Sequence, residues 1–361
     1  MKFDLIENFY KNKKVLIIGH TGFKGSWLTV CLKSFGSKIY GISIDVPTIP
    51  SNYELLRINN TINDTRFDIR NFKKLQKKIL LIKPDIIFHL AAQSLVKESF
   101  KDPYKTWTTN LIGSINLLEV LKNLEIKKKM SVVIITSDKC YKNLNLYRRY
   151  RESDLLGDGE PYGASKAAIE LAFKSYFESF LSKKKNLRLA TARAGNVIGG
   201  GDWSKDRIIP DVIKSLSFKK KLKIRYPNST RPWQHVLEPI FGYLILANNL
   251  YQKIENNGQS FNFGPYFVKN YKVIALLKEL KKYLPKIKWI NDIDKKKVHE
   301  AGLLNLNSGK AYDKLKWKNI LNFKETIKMT AEWYECYLNG ENVKKKTLDQ
   351  INFYKKKLTL K

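Results

Sequence analysis

Histidine and cysteine are both scarce in this chain, with four of the first and three of the second in 361 residues. Cys31, Cys140 and Cys336 are odd in number and far apart, so they form neither a disulfide framework nor a metal-ligand spacing. With so few histidines beside them no zinc site is expected, and no metal is assigned. Also missing is any run of about 18 to 20 apolar residues long enough to span a bilayer. The opening stretch from Met1 to Glu7 carries acidic side chains and lacks the apolar core of a signal peptide, so a cytoplasmic protein with no membrane partner is expected. Acidic residues run short overall, 33 against 67 basic, for a formal net charge of +34. Such an excess raises nucleic acid as a partner. The lysines are spread along the whole chain, however, as at Lys127 to Lys129, Lys183 to Lys185, Lys219 to Lys221, Lys295 to Lys297 and Lys344 to Lys346. They read as solvated faces, and no nucleic-acid partner is expected. A diffuse positive field would still draw in a small, doubly anionic ligand.

Composition is otherwise globular, with 43% apolar and 12% aromatic residues and enough length to bury a large core. Strand and helix signals alternate, which predicts an α/β fold: a Rossmann-type, doubly wound parallel sheet with a smaller, interleaved C-terminal substrate-binding lobe. Val15 to Ile18 reads as a buried strand, followed by a glycine turn, an apolar helix from about Phe23 to Phe35, and a strand from Lys38 to Ile44. A helix over about 71–82 leads into the apolar run from Asp85 to Leu90. One helix over about 107–124 precedes a strand at 132–135, and a helix opening near Tyr162 precedes a sixth strand at 187–193. Beyond Gly195 glycines, prolines and aromatics crowd together as far as Pro239, where the second lobe is expected. The resulting division is a dinucleotide-binding domain over 1–195, with 236–264 returning to it, and a second lobe over 196–235 and 265–340. A charged tail over 341–361 reads as a loosely attached helix. Internal repeats and low-complexity linkers are absent.

Gly19-His20-Thr21-Gly22-Phe23-Lys24-Gly25 lies between the first strand and its helix. Glycine there permits a tight turn, close approach of backbone N–H groups to a pyrophosphate, and close helix packing, with the anion at the helix N-terminus. Gly19, Thr21, Gly22, Phe23 and Gly25 are therefore assigned to a dinucleotide. The spacing resembles that of the short-chain dehydrogenase/reductase superfamily. Asp45, ending the second strand, stands where an acid would hold the adenosine ribose 2′-hydroxyl and repel a 2′-phosphate, which favours NAD over NADP. Asp68 and Ile69 resemble the superfamily's adenine contact. The small side chains of Leu90-Ala91-Ala92 at the fourth strand's tip would let the cofactor approach.

Oxidising a sugar hydroxyl requires a base near neutrality, and free tyrosine, at about 10, is too weakly ionised. Tyr162 and Lys166 sit one helical turn apart, so the lysine's charge can favour the phenolate beside the cofactor that both would touch. Ser137, at the end of the fifth strand, can hydrogen-bond the same hydroxyl, and Asn110 fits the superfamily's supporting asparagine. Asp138 and Lys139 follow directly, presenting an acid and a base beside the reacting carbon. An epimerase needs neither. An enzyme that expels the C6 hydroxyl needs one group to take the C5 proton and another to protonate the departing oxygen.

Along nearly its whole length the chain resembles the CDP-glucose 4,6-dehydratases. The resemblance rests on Gly19 to Leu28, Phe88 to Val96, Thr136 to Tyr141, Arg193 to Trp203 and Arg231 to Pro239. It implies a cycle in which Tyr162 accepts the 4-hydroxyl proton as NAD takes hydride from C4. Lys139 then serves as the C5 base and Asp138 as the acid for the C6 hydroxyl, water leaves, and hydride returns to C6. It also implies CDP-glucose as the small-molecule partner, a product used in surface polysaccharide, and a homo-oligomer. Asn196, Arg207 and Arg231 are the candidates for the nucleotide and diphosphate, since guanidinium forks suit phosphate. A nucleotide-sugar 4-epimerase, or a 4,6-dehydratase for another nucleotide-sugar, is the alternative. Gly163 departs from the family's usual serine, and the segment from Gly302 to Asn307 departs from a more polar one.

Overall fold

In a computed structural model of the chain, residues 3–224, 226–265, 271–291 and 304–359 are described. Seven strands form one all-parallel sheet: β1 Lys14–Ile18, β2 Lys38–Ser43, β3 Asn63–Arg66, β4 Ile86–His89, β5 Met130–Ile135, β6 Leu187–Ala194 and β7 Ser260–Phe263. Their order across the sheet is 7-6-5-4-1-2-3. Parallel strands covered on both faces need apolar side chains on both, and β4 and β5 are buried at every position. Val15 pairs with Ile39 on one side and Ile86 on the other, so β1 lies inside the sheet with β4 beside it. The strand order reverses between them, and the crevice outside their carboxyl ends is where such sheets take ligands.

Several elements differ from the sequence reading. An N-terminal helix, α1 (Phe3–Tyr10), was not anticipated, and its Tyr10 hydroxyl donates to Leu244 O at 2.7 Å. α2 (Phe23–Ser34) follows the glycine turn and α3 (Phe72–Ile82) follows β3, with Asn71 capping it through Lys74 N at 3.0 Å. The single helix expected over 107–124 is three pieces: Pro103–Trp107, a π turn at Thr108–Ile112, and α4 (Gly113–Asn123). The π turn carries Asn110, and Gly113 after it lies so close to the Ile69 side chain that a Cβ would collide. α5 (Pro161–Tyr176) starts on a proline at its first position, with Glu160 as N-cap.

After β6 the chain leaves the sheet, builds Val197–Ile198 against Gln234–His235, and returns through α6 (Leu237–Gln252) to β7 beside β6. Two further small pairs, Thr230–Arg231 with Tyr271–Lys272 and Leu222–Ile224 with Trp289–Asn291, belong to the outlying part. Gly302 and Leu303 lie outside the described residues. The tail is not loosely attached. Its helix, α7 (Val343–Thr359), buries Val343, Ile351 and Tyr354, and the Tyr354 hydroxyl donates to Glu238 Oε2 at 2.6 Å on α6. Among the described residues, no helix is long and apolar enough to cross a membrane.

Candidate active site

The three glycines of the turn have different reasons to be glycine. Gly19 has φ +94°, and a Cβ there would stand 2.5 Å from Ala91 N at the tip of β4. A Cβ on Gly25 would collide with Gly19 O. Both are demanded by the fold. Gly22 is not, since its Cβ would meet only Gly19 O, at 3.6 Å. The space above Gly22 is a cradle that a side chain would fill without disturbing the protein, and it opens on the first turn of α2, where no side chain caps the helix. These residues fit a bound pyrophosphate. Thr21 donates through Oγ1 to Asp45 O at 2.7 Å, and Arg66 Nη1 donates to the same oxygen at 3.0 Å, so the Asp45 backbone is held while its side chain is exposed. Asp68 is engaged by Arg70 at 2.6 Å, with Ile69 buried beside it. Leu90, Ala91 and Ala92 are half-buried at the β4 tip, and Phe23 packs against Gly199.

At the end of β5, Ser137 donates to Asp138 Oδ1 at 2.9 Å. The Tyr162 hydroxyl faces Ser137, which eases its ionisation, but burial outweighs this and pushes the phenol up to about 12. Tyr162 is aimed by its helix start, where Glu160 accepts from Tyr162 N at 2.9 Å and Gly163 N at 2.7 Å. Asn110 is fully buried and makes a brace: it accepts from Gln93 N at 2.7 Å and donates to Ser165 Oγ at 2.9 Å, whose hydroxyl donates to Tyr162 O at 2.7 Å. Lys166 is buried one turn beyond Tyr162, with Nζ 3.5 Å from Ile135 O, and burial brings its ammonium down to about 8.

Burial also raises the Asp138 carboxyl, against the pull of Lys139, Ser137 and Lys24. Asp138 Oδ2 approaches so closely that a Cβ on Gly195 would be 2.6 Å away. Lys139 is half-buried, with the Asp138 and Glu160 carboxyls in its field. Gly163, the departure from the family's serine, has a local reason here: a Cβ would stand 2.6 Å from Lys139 O. Arg207 pairs with Asp202 at 2.9 Å and lies in the field of Tyr162 and Lys24, so it belongs to this cluster. Asn196 is half-buried, with its carbonyl accepting from Gln234 N at 3.1 Å. Arg231 lies on the small outlying ribbon and donates to Thr230 O at 2.8 Å.

Two groups in the cluster were missed. Lys24 stands inside the glycine turn, whose spacing assigns it no role. Tyr243 on α6 is fully buried, in the field of Tyr162 and Asp138, and lies in a featureless apolar stretch that gives no sequence signal. Among the described residues, no group of three or more histidine, cysteine or carboxylate side chains could hold a metal ion.

The family model described as GDP-mannose 4,6 dehydratase matches residues 16–330. The chain is 39% identical over 343 residues to a CDP-glucose 4,6-dehydratase of Salmonella typhimurium, covering 93% of this chain and 94% of that one. Among solved structures, an epimerase from Methanothermobacter thermautotrophicus superposes with a TM-score of 0.80 at 22% identity, over 96% of this chain and 98% of the other. A dTDP-glucose 4,6-dehydratase from Bacillus anthracis, in complex with NAD, superposes with a TM-score of 0.73 at 20% identity, over 92% of this chain and 99% of the other. These two likenesses concern the fold.

Proposed function

Because this chain belongs to the NAD-dependent nucleotide-sugar epimerase/dehydratase family, with 4,6-dehydratases as relatives over most of its length, we propose that the cluster around Tyr162 dehydrates CDP-glucose. The enzyme is a hydro-lyase, CDP-glucose 4,6-dehydratase, giving CDP-4-dehydro-6-deoxyglucose. The observation that carries the chemistry is the buried Asp138 beside Lys139 on the strand end that bears Ser137, facing Tyr162. Oxidation at C4 alone would leave that acid and that lysine without work.

Held at the turn by Gly19, Thr21 and Gly22, NAD would supply a hydride acceptor for C4 and the hydride that C6 receives. Tyr162 takes the C4 hydroxyl proton while the Ser137 hydroxyl holds the oxygen in place. A phenol at about 12 needs positive charge beside it to act at neutral pH: Arg207 lies in its field, and Lys166, one helical turn on and charged below about 8, is the second cation in this reading. Once C4 is a ketone, the C5 hydrogen is acidic, and Lys139 removes it as a proton. Burial favours the protonated form of Asp138, which gives that proton to the C6 oxygen as the C6–O bond breaks and water departs. Lys139 then returns a proton to C5.

Residues 196–235 and 265–340 form the nucleotide-sugar lobe in this reading, with Asn196, Arg207 and Arg231 toward the nucleotide and diphosphate. A cytoplasmic homo-oligomer belongs to the same reading. Its support is the exposure of Phe100, Tyr104, Ile112 and Leu171 on neighbouring helices, and light scattering of the purified protein tests it.

Incubation with CDP-, dTDP-, GDP- and UDP-glucose, followed by mass spectrometry, separates the readings. Loss of one water from the CDP-sugar is the expected result. An unchanged mass with a new chromatographic peak would mean epimerisation. The cofactor has its own test: purified protein should retain NAD through dialysis, whereas Gly22→Val should fold and lose it. A Gly22→Val protein that kept its NAD would contradict the cradle.

A further inference from the structure

Lys24 is part of the glycine turn, yet its charged neighbours belong to the reacting cluster. The start of α2 is pinned on both sides of it. Phe23 packs on Gly199, and Trp27 donates through Nε1 to Gly200 O at 2.8 Å, fastening the helix to the loop that follows β6. Lys24, half-buried between them, lies in the electrostatic field of Asp138 from the end of β5, Asp202 and Arg207 from that loop, and Lys166 from α5. Arg207 already engages the Asp202 carboxylate at 2.9 Å, which leaves Asp138 as the main counter-charge for Lys24. Around Asp138 itself stand Lys139, Ser137, Tyr162, Cys140 and Tyr243.

We propose that Lys24 acts through Asp138 in the elimination step, its ammonium supporting the carboxylate that forms as Asp138 gives its proton to the departing C6 hydroxyl. The proposal rests on the dehydratase reading. The C5–H electron pair forms the C5=C6 bond while its proton passes to Lys139. The C6–O pair leaves with the Asp138 proton as water, so one negative charge appears on Asp138 inside a buried site. An ammonium already in place stabilises that charge without rearrangement. Burial brings the Lys24 ammonium down to about 8, so the charge is present at neutral pH and lost above it.

The test compares the wild type with Lys24→Met, which removes the charge, and Lys24→Arg, which keeps it. Carbon-13 NMR of labelled aspartate, without substrate, follows the Asp138 carboxyl. Its titration should move to higher pH in Lys24→Met and stay near the wild type in Lys24→Arg. In single turnover of CDP-glucose, the reduced-nicotinamide absorbance should form normally and decay about tenfold or more slowly in Lys24→Met, one pKa unit being tenfold. Lys24→Arg should restore the decay and remove its fall above about pH 8. A wild-type decay rate in Lys24→Met, or an Asp138 titration that does not move, overturns the proposal. Loss of bound NAD with unaltered Asp138 titration overturns it too, and assigns Lys24 to the cofactor cradle. If the wild type leaves CDP-glucose intact, the dehydratase reading fails by itself, and the Asp138 titration alone decides whether Lys24 acts on that carboxyl.

Discussion

Glu170 on α5 and Asp138 at the end of β5 are both buried carboxyls. Glu170 accepts from Thr136 Oγ1 at 2.5 Å, Thr191 Oγ1 at 2.7 Å, Ser260 Oγ at 2.9 Å, and Arg193 Nε and Nη2 at 3.0 and 2.8 Å. Asp138 has the Ser137 hydroxyl at 2.9 Å and the Lys139 amide, with lysines in its field. Burial pushes both carboxyls up. At Glu170 the guanidinium and hydroxyls outweigh it and the result lies below the ordinary value; at Asp138 burial wins and the result lies above. Burial in both places with unequal bonding yields a locked ion tying α5 to the neighbouring strands in one, and a proton-holding acid in the other. A buried charge whose hydrogen bonds are complete holds the fold, and one left short of them is available for chemistry.

If that contrast is right, the two regions answer to different measurements. Tyr162→Phe, in the reacting cluster, should lower turnover by about 10³-fold, within the usual range for a lost acid–base group, with the unfolding midpoint little changed. Asp138→Asn should slow water loss by about 10²-fold and let the reduced-nicotinamide signal build up. Because the folded-state pKa of Asp138 is raised, its ionisation opposes folding as pH rises, so Asp138→Asn should also be slightly more stable than the wild type at neutral pH in urea. Glu170→Ala should do the reverse. It leaves Arg193 buried without its carboxylate and should cost about 3–5 kcal/mol of stability in the same urea titration. Its lowered pKa means that this contribution is present above the unfolded value and is lost as pH falls through the folded one.

A separate effect, spread over pH rather than felt at neutrality, comes from His89 and His235, which burial brings to about 3. Both stay neutral in the folded protein while the unfolded chain takes up protons below about 6.5. Stability should therefore fall as pH drops from about 6.5 toward 3, by about 1.4 kcal/mol per pH unit for each histidine. Replacing His89 by Gln should flatten that slope in urea titrations run across the window.

The sheet was legible because parallel strands buried on both faces are written as near-continuous apolar runs, as in residues 86–88 and 132–135. Ser137, Asp138, Tyr162 and Lys166 were legible from their spacing around a strand end and a helix start. The π turn at Asn110 was not, since the phase shift from one extra residue is hard to read when the helical piece before it is only a turn or so long. The docking of α7 was hidden by its lysines, which outnumber the few positions, among them Val343, Ile351 and Tyr354, that face inward. The place of Lys24 in the glycine turn is plain in the sequence, and its surroundings are not. Its neighbours Asp138, Lys166, Asp202 and Arg207 come from segments far along the chain, and only tertiary packing brings them to the glycine turn.

Oxidation, elimination and reduction in one closed site have a single isotopic signature. CDP-glucose carrying deuterium at C4 is converted in ordinary water, and the product is read by NMR and mass spectrometry. The account predicts deuterium in the C6 methyl group, a proton from solvent at C5, and loss of one water. Deuterium returned to C4 with no loss of mass, or released from the sugar altogether, would contradict it.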